Sequence, residues 1–160
     1  MKNKKIHGKQ LILLGICVLS TLFIAGGMFL PWATLISGAE SFGVPIFANN
    51  FTIYSNYPGT MSIAVVRFVS LLCALGCVIC TFVIIGGVTE ISAVGGASKY
   101  FFAIVTIVLG VAVVGVAIYY LIALNASSYF NENVYYTVGF GMLAIPVGTI
   151  ACGVSLLLYK

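Results

Sequence analysis

Five cysteines are the residues whose types and spacing could do chemistry in this chain. Cys77 and Cys80 form a C-x-x-C pair, Cys73 stands one helical turn before them, and Cys17 and Cys152 lie far away in the sequence. Two thiols at the C-x-x-C spacing are typical of proteins that exchange thiols and disulfides. The alternative is that these small, polarizable side chains only pack between helices. No cysteine lies in a predicted loop, so a disulfide framework outside the membrane is excluded.

Neither a metal nor a cofactor is expected from these residues. Zinc usually takes its thiolates from separate turns of the chain, whereas Cys73, Cys77 and Cys80 share one predicted helix. The single histidine, His7, lies in a basic N-terminal tail, where we expect it to be solvated. The sequence therefore predicts no metal site and no bound cofactor.

Arg67 is the second residue of interest, because it is the only charge well inside an apolar stretch. Charges at such a depth are rare and usually have a partner. Glu40 and Glu132 are the acids expected on the same side, so one interpretation is an ion pair at the outer mouth of the helices. The other is that the long side chain reaches headgroup phosphates from within the hydrocarbon layer.

The composition indicates what kind of protein holds these residues in place. Of the 160 residues, 62% are hydrophobic and only 6% are charged. A water-soluble domain carries roughly a quarter of charged residues on average. These proportions exclude a soluble enzyme and predict an integral membrane protein.

Four stretches are long and apolar enough to be transmembrane helices, at 11–30, 62–88, 101–124 and 136–159. Each reaches the ~20 residues that a helix needs to cross the hydrocarbon layer. The segments are continuously apolar rather than alternating, which favours helices over a closed β-barrel. The first is longer than a typical signal-peptide core, so we expect a span there. The prediction is an all-α protein with one four-helix domain over residues 1–160 and outer loops at about 31–61 and 125–135.

Lysine and arginine near the predicted helix ends indicate the orientation. One side holds Lys2, Lys4, Lys5, Lys9, Lys99 and Lys160. The loops 31–61 and 125–135 hold no lysine or arginine. Because basic residues concentrate on the cytoplasmic side, we expect a multi-pass protein of the plasma membrane with both termini in the cytoplasm.

Small residues recur at helical spacing along three of the spans and predict the faces where helices pack. Membrane helices approach closely where side chains are small, and a seven-residue repeat predicts left-handed packing in a bundle. These packing stripes consist of Ser70, Cys73, Cys77 and Cys80 in the second span, Ala103, Thr106, Gly110 and Ala117 in the third, and Gly141, Ala144, Gly148, Ala151 and Ser155 in the fourth. The first span is less regular, with Gly15, Cys17, Thr21 and Ala25.

The Cys77-Val-Ile-Cys80 motif within four predicted helices resembles the quinone-linked thiol oxidases of the disulfide-bond B and vitamin K epoxide reductase families. Those proteins are also four-helix bundles. The resemblance covers the C-x-x-C motif and implies a membrane thiol oxidoreductase in which Cys77 and Cys80 form the redox pair.

The first outer loop is the largest predicted segment outside the membrane. It holds two β-prone runs, 42–47 and 51–54, on either side of Asn49-Asn50. Asparagine tolerates the positive φ of tight turns, so the runs predict a β-hairpin, with Pro45 confining the first run to an edge or a bulge. The aromatic residues that could contact a partner from this loop are Trp32, Phe47, Phe51 and Tyr54. They could equally fold down over the end of the bundle.

Asn50 and Asn125 each begin a glycosylation sequon in a predicted outer loop. The layout as a whole is similar to the claudin and peripheral-myelin-protein tetraspan group: both termini inside, a longer first outer loop and Trp32 after the first helix. This similarity is one of topology over the whole chain and rests on no sequence motif.

The spans contain no Asp, Glu, Asn, Gln or His, which are the residues that usually mark an ion-coupled pathway. We therefore expect a non-catalytic protein that acts as an accessory, scaffold or assembly subunit. Its expected partners are the lipid bilayer and further membrane proteins, in a homo-oligomer or a larger complex, and no nucleic acid. The alternatives are the thiol oxidoreductase and an oligomeric channel or small-solute carrier with Arg67 at its mouth.

Overall fold

Four long helices account for most of the fold. The computed structural model describes residues 8–37, 39–45, 60–89, 96–126 and 134–159. Helix α1 covers Gly8–Phe29, α2 covers Thr60–Thr89, α3 covers Gly96–Asn125 and α4 covers Phe140–Leu158. All four are long and apolar enough to cross a membrane. The prediction of a multi-pass membrane protein with four helical spans is confirmed.

A small antiparallel sheet lies at one end of the helices. Its strands are β1 (Pro31–Ser37), β2 (Glu40–Pro45) and β3 (Val134–Val138), in the order β2-β1-β3. Strand β1 directly follows α1, and β3 directly precedes α4. We call this the sheet end, and the end with Gly8, Thr89 and Tyr159 the opposite end.

The sheet corrects the predicted start of the fourth helix. The fourth helix does not begin at Tyr136: residues 134–138 pair with β1, and α4 begins at Phe140. The predicted run 42–47 overlaps β2, which pairs with β1 and is an edge strand among the described residues. Strand β1 was not predicted, because hydropathy alone does not separate its residues from the first loop. The second predicted run, 51–54, and the Asn49-Asn50 turn lie outside the described residues.

Helix α4 is the centre of the bundle. In its most apolar stretch 61% of the residues are buried inside the protein, against 33% in α1 and 28% in each of α2 and α3. The other three helices all pack against α4. Each of them therefore has one side in the bundle and a broad apolar side that faces outward.

Glycines allow α1 and α3 to approach α4 closely. A Cβ at Gly27 would lie 2.9 Å from the Cβ of Ala144, and a Cβ at Gly148 would lie 2.9 Å from Ile24 Cγ1. On the other side of α4, a Cβ at Gly110 would lie 2.7 Å from Ile150 Cγ1. Real side chains do not pack this tightly, so these contacts require glycine, as is typical of helix packing in membranes.

Candidate functional site

The thiols of three helices meet inside the bundle. Cys17 comes from α1, Cys77 and Cys80 from α2, and Cys152 from α4, and all four are fully buried. Their helices bring them together because each thiol lies on the buried face of its helix, at a height where α1 and α2 both contact α4. We call these four residues the thiol cluster.

Cys152 is the centre of the thiol cluster. Its Sγ lies 3.4 Å from Cys17 Sγ and 3.6 Å from the main-chain oxygen of Cys77. The Cys17 thiol lies 3.5 Å from the main-chain oxygen of Cys152. The side chains of Cys77 and Cys80 also interact with Cys152. All five cysteines are free thiols.

The predicted redox pair, Cys77 and Cys80, belongs to this cluster, but its thiols also have other neighbours. Cys80 Sγ lies 3.3 Å from Thr106 Oγ1 on α3. Cys17 and Cys152, which lie on different helices, are in direct sulfur–sulfur contact. A redox role for Cys77 and Cys80 stays a prediction. Cys73 is also fully buried, and it interacts with Thr149 and with Cys77, one helical turn away.

Two threonine hydroxyls lie one helical turn from the cluster. Thr21 Oγ1 donates to the main-chain oxygen of Cys17 at 2.9 Å, and Thr81 Oγ1 donates to that of Cys77 at 2.8 Å. The two hydroxyl oxygens are 3.3 Å apart. We call these two residues the hydroxyl pair; it joins α1 to α2, and both side chains are half-buried.

No three His, Cys, Asp or Glu side chains are grouped so that they could hold a metal ion in the part of the chain that the structure describes. The cluster consists of four free thiols, and the helices around it contribute hydroxyls and main-chain carbonyls. Such an arrangement can exchange hydrogen bonds or undergo thiol chemistry.

The predicted packing stripes lie on the inner faces of the helices. Those in α2 and α3 are buried at Ser70, Cys73, Cys77, Cys80, Ala103, Thr106, Gly110 and Ala117. The stripe in α4 is buried at Gly141, Ala144, Gly148 and Ser155 and half-buried at Ala151. In α1 the residues Gly15 and Ala25 are exposed, and the buried stripe is instead Cys17, Ser20, Ile24 and Gly27. The role of these residues in partner binding stays a prediction.

Two of the three charges predicted at the outer mouth, Arg67 and Glu40, lie toward the sheet end. Arg67 is half-buried near the start of α2, and Glu40 is exposed at the start of β2. Glu132 lies outside the described residues. An ion pair or a substrate site that uses these charges stays a prediction.

Trp32 does not lie on the surface; of the two interpretations for the loop aromatics, its burial fits the one in which the side chain folds over the end of the bundle. It lies at the irregularity in the β1–β2 register and is fully buried, with its indole against Gly141. Bulges of this kind redirect a side chain. Its carbonyl accepts a hydrogen bond from Gly139 N at 2.7 Å. The other three predicted contact residues, Phe47, Phe51 and Tyr54, lie outside the described residues.

Asn125 has a structural role that the sequence did not indicate. Its Nδ2 donates to the main-chain oxygens of Leu121 and Tyr136, both at 3.1 Å, and its Oδ1 accepts from Tyr136 N at 2.8 Å. The side-chain amide thus pairs with β3 as a neighbouring strand would. Both Nδ2 hydrogens are engaged in hydrogen bonds, which disfavours glycosylation of Asn125. The other sequon residue, Asn50, lies outside the described residues.

Three helices are held together at the opposite end. Lys99 Nζ, at the start of α3, donates to the main-chain oxygen of Tyr159 at 2.5 Å. A Cβ at Gly87 of α2 would lie 2.7 Å from the Tyr159 hydroxyl. From the sequence, Lys99 was expected only to indicate the orientation of the helices. The sequence carried no local signal for its contact with Tyr159, because the two residues are 60 positions apart and Lys99 lies in the first turn of its own helix.

Comparison of the chain with protein-family models, curated proteins and solved structures finds no match in any of the three.

Proposed function

We propose that this protein is a non-catalytic multi-pass membrane protein that works by association, as an accessory, scaffold or assembly subunit. It would act in a homo-oligomer or in a larger membrane complex. From the distribution of lysine and arginine we further propose that the sheet end faces outward, that both termini are cytoplasmic and that the helices pack with left-handed crossings in the plasma membrane.

The main support for the proposal is that the buried polar side chains form hydrogen bonds inside the bundle. Ser70, Thr149 and Ser155 each donate to a main-chain oxygen four residues earlier in the same helix, at 2.7, 2.6 and 2.8 Å. In the described residues, Trp32 Nε1 is the only buried side-chain nitrogen or oxygen atom without a hydrogen-bond partner. Transport pathways need polar groups that face the solute. These three hydroxyls are engaged within their own helices, which favours a packing role over conduction.

The outward faces of the helices provide the second support. Leu19 of α1, Phe82 of α2 and Tyr119 of α3 are about two-thirds exposed, at 67%, 67% and 65%. On the same outward faces, Gly15, Gly26 and Gly115 have no heavy atom within 4 Å of the position that a Cβ would occupy. Internal packing therefore does not require glycine there. Glycines on an apolar outward face are suited to close contact with another helix.

Variants at these glycines test the proposal. Gly115→Leu adds bulk to the outward face of α3 without a clash inside the chain, and Gly115→Ala is its matched control. We expect Gly115→Leu, or the equivalent change at Gly26, to reduce the assembly seen on blue-native gels while the unfolding temperature of the subunit is retained. Wild-type protein that migrates as a monomer without any co-purifying protein would contradict the proposal.

A further inference from the structure

The charges of this chain are distributed unequally between its two ends. Counted along the sequence, the sheet end has Arg67 with the acids Glu40 and Glu132. The opposite end has Glu90 and six of the seven basic residues, which are Lys2, Lys4, Lys5, Lys9, Lys99 and Lys160. The net charge of +4 therefore arises at the opposite end.

Four of these lysines precede or begin α1. Lys9 is exposed in the first turn of the helix, which starts at Gly8. Lys5 is three residues and Lys2 six residues before Gly8, so even a fully extended chain keeps their Cα atoms within roughly 11 and 22 Å of it. A cluster of four lysines directly before a transmembrane helix is typical of segments that bind anionic membrane surfaces.

Lys99 is a further lysine of this end, and its position is fixed by neighbouring groups. Its Nζ donates to the main-chain oxygen of Tyr159 at 2.5 Å and lies 4.7 Å from the centre of the Tyr100 ring. An ammonium group has three N–H donors, so the bond to Tyr159 leaves two for another acceptor. Tyr100 and Phe101 are both at least half exposed, and aromatic rings at the end of a span lie where headgroups meet hydrocarbon. The Lys99 ammonium is therefore held at the level of the headgroups.

The four spans determine which molecules lie next to this end. Because all four helices are long enough to cross the hydrocarbon layer, their ends lie among phospholipid headgroups. A zwitterionic headgroup balances its own phosphate charge, whereas an anionic headgroup has an unbalanced negative charge. Each lysine near an anionic surface favours binding by roughly fivefold. Six lysines against one acid thus favour the anionic class.

We propose that the opposite end binds anionic phospholipids. Lys99 is the fixed contact to a headgroup, and the lysines before and within the first turn of α1 attract further anionic headgroups in the same leaflet. The sheet end, with two acids and one arginine, lacks this preference. The proposal is independent of the proposed association, since it concerns the lipids around the chain and applies to a single copy as well as to an oligomer.

The test measures which lipids contact the full chain in vesicles of dioleoylphosphatidylcholine. Electron paramagnetic resonance of spin-labelled phosphatidylglycerol and spin-labelled phosphatidylcholine gives the fraction of each probe held at the protein surface. In about 0.1 M NaCl we expect the anionic probe to associate at least about twofold more strongly. In about 1 M NaCl the Debye length falls to about 3 Å, and the preference should largely disappear. Equal association of the two probes at the lower salt concentration would overturn the proposal.

Charge-matched variants assign the preference to the opposite end. The combined change Lys2→Gln, Lys4→Gln and Lys5→Gln should lower the preference, and addition of Lys99→Gln should abolish it. The corresponding arginine variants keep the charge and should keep the preference. The first three positions precede α1, so they test the proposal even if Lys99→Gln loosens the end of α4. A preference that survives all four glutamine changes, or that is lost equally in the arginine variants, would contradict binding through these charges.

Discussion

Single glycines determine how closely the segments of this protein approach at the sheet end. Gly141, in the first turn of α4, is the clearest case, because a Cβ there would lie 2.5 Å from the Gly27 carbonyl oxygen and 2.6 Å from Trp32 Cδ1. The carbonyl belongs to the backbone of α1 and cannot rotate away. Trp32 fills the remaining space, and its burial follows from the missing side chain at Gly141.

Gly141→Ala should therefore destabilise the protein, whereas Gly115→Ala should not. The first change forces α1 and α4 apart, at a cost of roughly 1–3 kcal/mol as for other overpacked cores. The second adds a methyl group where no atom lies within 4 Å and gains up to about 1 kcal/mol of helix propensity. Thermal unfolding in detergent, followed by the fluorescence of the single tryptophan, measures both. Equal stability of the two variants would be inconsistent with the close approach.

Residue contacts across helices are also where the sequence was least informative. The repeat in α4 predicted that Gly141, Ala144 and Gly148 face inward, because helical periodicity is a local property. It did not predict that Cys17 contacts Cys152. That contact depends on the relative height and rotation of two helices that are far apart in the chain, and neither is encoded in the spacing within one span.

At the scale of elements, hydropathy predicted the spans but not the sheet. The residues of β3 are as apolar as those of α4, so residues 134–158 form one uninterrupted apolar segment in the sequence. The available signal was the β-branched and aromatic content of Val134–Val138, followed by Gly139. The glycine was needed for space: a Cβ there would lie 2.3 Å from the Pro31 carbonyl oxygen.

Asn125 links α3 to the edge of this sheet, and its removal should loosen β3. Asn125→Ala loses three hydrogen bonds that involve Leu121 and Tyr136, each worth about 1 kcal/mol. We expect faster amide hydrogen exchange at Tyr136, whose N–H bonds to Asn125 Oδ1. Ser127→Ala is the control, since it destroys the sequon but keeps the asparagine. Exchange that accelerates in Ser127→Ala as much as in Asn125→Ala would refute the strand-pairing role.

Lys99 has the corresponding role at the opposite end. Its ammonium group bonds to the main-chain oxygen of Tyr159, where a positive charge is favourable because helix C-termini carry partial negative charge. Lys99→Met should cost about 1 kcal/mol and increase hydrogen exchange in the last turn of α4. Lys99→Arg should retain most of the protection. Unchanged exchange in Lys99→Met would show that the contact does not hold the helix end.

At the scale of the whole molecule, one central helix is surrounded by three helices with apolar outward faces. The sheet and the Lys99 contact fix the two ends of this arrangement, and the thiol cluster lies between them. Apart from Trp32 Nε1, the described part of the chain has no buried side-chain nitrogen or oxygen atom that lacks a partner. The molecule thus combines a satisfied interior with outward faces of α1, α2 and α3 that only lipid or another protein can cover.

The most direct test of association is the mass of the protein extracted with its native lipids. Membranes that contain the full chain can be solubilised with a polymer that forms native nanodiscs, and the particles can be weighed by native mass spectrometry. We predict that each particle holds more than one copy of the 16.9 kDa chain or one copy with a defined partner. Particles that hold a single copy and no other protein, at the expression level of the native membrane, would contradict the account.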